Sequence, residues 1–149
     1  MLSHKVVLLT LLGWLAVCAA AEKPTIFIPW KARHTELDDL AHEHFGKFYE
    51  VVDVNVSGRE YTNPKPISGF GPPAAVYVQG RCVSGNVLVL FILTVEGSVE
   101  NAYAVKSPSV DLSEAALRSI SGSHFQPARL DGKTVPIVVA APYRFKCPP

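Results

Sequence analysis

Asn86-Val-Leu-Val-Leu-Phe-Ile-Leu-Thr-Val95, Glu96-Gly97, Ser98 to Val105, Asp111 to Ser121 and Val135 to Phe145 decide the fold. The first run is apolar and rich in β-branched residues, as a buried strand requires, and Glu96-Gly97 reads as the tight turn leading into a second strand. Asp111-Leu-Ser-Glu114 predicts a helix start, with acids where the helix dipole favours negative charge. Leu112, Ala116, Leu117 and Ile120 supply that helix's buried stripe, and Gly122 its stop. A hairpin followed by a crossover helix and a third strand has one favoured arrangement. The third strand returns parallel to the second and pairs antiparallel with the first, giving a three-stranded α+β sheet of order 2-1-3.

The first strand is apolar on both faces. Val87, Val89, Phe91 and Leu93 form one face, which the helix would cover; Leu88, Leu90 and Ile92 form the other, extended by Val138 and Ala140. A contiguous apolar face must be covered. Two candidates exist: an earlier helix of the same chain over Leu37–Phe48, or a second copy, which would make Leu88, Leu90 and Ile92 a homodimer interface.

Six motifs in this region give it a family likeness: Gly85-Asn-Val87, Glu96-Gly97-Ser-Val99, Ala115-Ala-Leu117, Phe125-Gln-Pro-Ala128, Asp131-Gly-Lys133 and Pro142-Tyr-Arg-Phe145. In this order they resemble the C-terminal domain of the TonB family, the periplasmic arm that energises outer-membrane transporters. The resemblance implies a non-catalytic protein-binding module whose third strand captures an extended partner segment by β-augmentation. An outer-membrane receptor or a periplasmic protein is the partner it implies. Pro136 and Pro142 point the same way along that strand, and Pro cannot donate into a ladder, so their side is the free edge. The partner-binding edge is then Val138, Val139, Ala140 and Arg144, with Val138, Ala140 and Arg144 as the outward donors. The chain's own Glu50–Val56, where Val52, Val54 and Val56 alternate with Asp53 and Asn55, is a second candidate occupant.

Three features depart from the family. No long Pro-rich spacer is present, Gly71-Pro-Pro-Ala-Ala-Val-Tyr77 only loosely echoes the family's Pro-x-Tyr-Pro lead-in, and an anchor exists only if the leader is retained. His4 and Lys5 precede an apolar run from Val6 to Ala20, and Ala19-Ala20-Ala21 fits signal cleavage after Ala21. That places the protein in the periplasm, with residues 1–21 as signal. Lipidation at Cys18 and an uncleaved anchor driving outer-membrane transport are the alternatives. Of the rest, residues 22–73 read as an N-terminal αβ extension with a Pro/Gly linker, and residues 74–149 as the TonB-like domain. No later stretch is long and apolar enough to span a bilayer. With 14 Lys and Arg against 13 Asp and Glu and no basic cluster, nothing argues for nucleic acid.

After cleavage Cys82 and Cys147 remain, an even pair that reads as a disulfide in an exported chain. Order 2-1-3 supports the pairing independently, because it puts the start of strand one beside the end of strand three. The remaining chemistry is sparse. His34, Asp38 and His42 follow at helical spacing, with Asp39, Glu43 and His44 nearby, and support a metal-dependent enzyme as a third reading. Yet HExxH and Cys/His zinc spacings are absent. Ser123-His124 is no nucleophile–base pair, and Gly69-Phe-Gly71 leads into prolines rather than a phosphate-cradling helix. No enzyme, metal or cofactor is expected.

Overall fold

The computed structural model describes residues 21–30, 35–71 and 73–149, so the leader run, Cys18 and His34 lie outside the described residues. The N-terminal elements are β1 (Thr25–Trp30), α1 (Glu36–Phe45), β2 (Glu50–Asn55), β3 (Tyr61–Thr62), β4 (Lys65–Ser68), β5 (Val76–Val78) and β6 (Arg81–Val83). They are followed by β7 (Gly85–Leu93), β8 (Val99–Lys106), α2 (Val110–Ser121), β9 (His124–Gln126), β10 (Arg129–Leu130), β11 (Lys133–Thr134) and β12 (Ile137–Phe145).

The turn between β7 and β8 needs Gly97. Its φ is +85°, and a Cβ there would sit 1.9 Å from the Phe125 carbonyl oxygen. The Phe125 N–H donates to the Gly97 carbonyl at 2.9 Å, fastening the hairpin tip to β9. α2 starts earlier than Asp111 suggests. Ser109 is its N-cap, the hydroxyl accepting from the Leu112 N–H at 3.3 Å, and Asp111 lies in the first turn.

The main sheet has five strands, in the order β2-β1-β12-β7-β8, rather than three. β12 and β7 pair antiparallel from Ile137↔Leu93 to Phe145↔Gly85. β1 runs parallel to both β12 and β2. Glu50–Asn55 therefore does not fill the edge of β12; β1 lies there, and β2 sits one strand further out. The cause is visible in β1 itself. Ile26 and Ile28 face the apolar side that Leu90 and Ile92 leave uncovered, and bury themselves against it with Ala41 and Phe45 of α1.

Two helices cover the two sheet faces. Leu112, Ala116 and Ile120 of α2 pack on Val87, Val89, Phe91 and Leu93, joined by Ile137, Ala141, Tyr143 and Phe145 of β12. α1 closes the opposite face. It begins at Thr35, whose backbone N–H donates to the Asp38 carboxylate at 2.7 Å, and it ends at Gly46, earlier than expected. Phe48 thus falls past the helix and is 70% exposed. His44 also leaves the apolar stripe, stacking its ring on Tyr103 with centroids 3.5 Å apart.

Short pairings tie residues 61–68 to the C-terminal half, β3 to β10 and β4 to β9. The β5–β6 hairpin is held by a Cys82–Cys147 disulfide, with Cα atoms 5.8 Å apart.

Candidate functional site

The outer edge of β12 is divided. Phe27 pairs with Ile137, and its N–H donates to the Pro136 carbonyl at 3.0 Å. Odd-numbered residues of β1 therefore turn their N–H groups toward β12. Pro29 has none, and the register between the strands stops at that single pair. Beyond it, no described strand pairs with this side of β12.

Of the edge residues read from sequence, Val138 lies on the closed part, partly buried against the α1 core. Val139 faces the α2 core, while Ala140 and Arg144 are exposed on the open part. Pro142 pairs with Leu88, so its missing donor falls outward, between the N–H groups of Ala140 and Arg144. Leu90 and Ile92, offered by the sequence as an interface face, are 2% exposed beneath α1 and present no interface. Leu88 is half-buried.

Sequence reasoning missed what lies beside the open edge. A cleft of about 590 Å³ is lined by Phe70, Gly71, Pro73, Pro142, Tyr143, Arg144 and Lys146. A second cleft of about 870 Å³ shares Phe70, Gly71 and Pro73, and reaches Tyr77, Arg118, Ser119 and Phe145. Phe70 stands between them, its ring 5.6 Å from Phe125 and 5.8 Å from Tyr143. Gly69 lets the loop approach this closely, since a Cβ there would meet the Gly122 carbonyl at 2.7 Å. The available signal was an aromatic residue between two glycines, followed by prolines.

The charged residues lining the clefts are Arg118, Arg144 and Lys146, all cations. Arg118 has a loose partner in Glu114 at 3.6 Å. Tyr143 is almost wholly buried, and no partner reaches its hydroxyl in bonding geometry. Burial raises its pKa, and the Ser119 hydroxyl offsets part of that rise.

His34 lies outside the described residues, and the described histidines of this region hold other partners. His42 Nε2 lies 3.1 Å from both carboxylate oxygens of Asp53 on β2, and His44 is committed to Tyr103. Among the described residues, no three His, Cys, Asp or Glu side chains converge as ligands. Ser123 donates its hydroxyl to the Ser119 carbonyl at 3.0 Å, a helix-end contact.

Among curated proteins none matches the chain. The solution NMR structure of the Pseudomonas aeruginosa TonB C-terminal domain is similar to it, at 28% identity and a TM-score of 0.46, covering 58% of this chain and 88% of that one. Residues 79–147 match the family described as Gram-negative bacterial TonB protein C-terminal.

Proposed function

We propose that this chain is an exported, non-catalytic protein-binding module of the TonB C-terminal kind. It captures an extended segment of a partner by β-augmentation on β12. One observation carries the reading: from Ala140 to Arg144 this edge has no described strand partner, and the Phe70 cleft opens beside it. Residues 74–149 form the binding unit, and residues 22–73 form an αβ extension that braces it.

The match over residues 79–147 supports a periplasmic setting, with an outer-membrane receptor or another periplasmic protein as partner. The Cys82–Cys147 bond fits an oxidising compartment. Among the described residues, no helix is long and apolar enough to cross a membrane.

Ala140→Pro tests the edge. It removes an outward donor and leaves the bonds to β7 intact. With a photo-crosslinker replacing Lys146, the native edge is expected to give a partner adduct in cells, and Ala140→Pro to lose it while the unfolding midpoint stays within about 1 kcal/mol. Equal adduct yield from the variant overturns the reading.

A further inference from the structure

The division of the β12 edge assigns β1 a role of its own. We propose that β1 is a fixed stop: it confines docking to Ala140–Arg144 and so selects a short, acidic, extended segment of another protein. The inference rests on the edge reading above.

β1 is not a displaceable guest. Ile26 and Ile28 are buried with Ala41, Phe45, Leu90 and Ile92, and all six β1 residues pair with β2 from Thr25↔Glu50 to Trp30↔Asn55. Freeing the whole edge would open that core. A partner therefore meets only the remainder, five residues or about 17 Å of strand. Pro142 removes the middle donor, leaving the N–H groups of Ala140 and Arg144. Two donors, with the outward carbonyls of Ala140, Pro142 and Arg144, make a short ladder of modest strength, because each bond replaces one already made to water.

Recognition must then come from side chains. The adjoining cleft offers Phe70 and Pro142 for an apolar side chain, and Arg144 and Lys146 for a carboxylate. Among the described residues no acidic side chain lines either cleft, so the charge that complements the site is negative. β1 closes the window at the Val138 end, which fixes where an incoming strand begins and hence its register.

Amide exchange on the purified protein, followed by NMR, tests the stop without any partner. Val138 is expected to exchange at least tenfold more slowly than Arg144. Pro29→Val supplies the missing donor facing β12, and is expected to extend protection to Ala140. Equal rates at Val138 and Arg144 overturn the stop. For the partner, a photo-crosslinker replaces Pro142, with Glu100 on β8 as control position. An adduct with a different protein is expected at Pro142 alone, falling at least tenfold in Arg144→Glu/Lys146→Glu. An unchanged yield overturns the acidic segment, and an adduct with a second copy of this chain overturns a foreign partner. Adducts without the exchange pattern sink the stop and spare the edge reading; the exchange pattern without any adduct does the reverse.

Discussion

Among the described residues none bonds the buried hydroxyl of Tyr143, and burial raises its pKa. An unsatisfied buried donor costs about 1–3 kcal/mol, so Tyr143→Phe is expected to raise stability by about 1 kcal/mol in urea unfolding. A loss of stability would mean that the Ser119 hydroxyl bonds it after all. His44 moves the other way. Desolvation, with Lys47 adding to it, lowers its pKa below the ordinary 6.5. The unfolded chain then takes up the proton more readily, so this contribution is complete above about pH 6.5 and fades as pH falls toward the folded-state value. An NMR titration of His44 is expected to show its midpoint below 6.5. The effect on stability is small, since the ring is exposed and water screens its charge. Neither residue announced itself in the sequence. His44 falls at helical spacing with Leu40, Ala41 and Phe45, and spacing cannot reveal that Tyr103 stacks on its ring.

β7 was legible because both its faces are apolar from Val87 to Leu93 and Glu96-Gly97 marks its end. Pro136 and Pro142, an even number of residues apart, likewise betrayed which side of β12 lacks donors. Glu22 to Trp30 reads as extended, because Pro24 and Pro29 exclude a helix interior, but its place in the sheet was not legible, and only the structure shows Pro29 turned toward the side where a donor is dispensable. The Phe70 cleft stayed hidden because its walls come from a loop, a helix and a strand distant in sequence. Two expectations concern elements. Leu90→Asp should destabilise the fold by more than about 3 kcal/mol, because α1 closes over Leu90 and the charge would find no partner. Calorimetry would reveal it; unchanged stability would mean that α1 lifts away. Replacing Cys82 and Cys147 together by Ser should cost about 4 kcal/mol in the chain-entropy account of a link spanning 65 residues. Guanidinium melts of oxidised and variant protein measure it.

At the scale of the molecule, the sheet has a helix on each face, and the N-terminal elements complete a core that the C-terminal half cannot close alone. A chain shortened to begin at Arg59 loses β1, α1 and β2, which uncovers Leu90 and Ile92. It is expected to self-associate on size exclusion, and the full chain is expected to elute as a single species. Elution of the shortened chain as a well-folded monomer would show that residues 59–149 are self-sufficient.

The sheet order carries a consequence for how the chain acquires its shape. β12 is the last strand in sequence, yet it stands third of five, between β1 and β7. In chain order β1 and β2 come first, then the β7–β8 hairpin, and no strand pairing joins the two until β12 follows, although α1 packs on both. Both pieces wait with apolar surface in water until Ile137–Phe145 arrives. The central seam then forms in one late, long-range step, the slow kind of strand pairing.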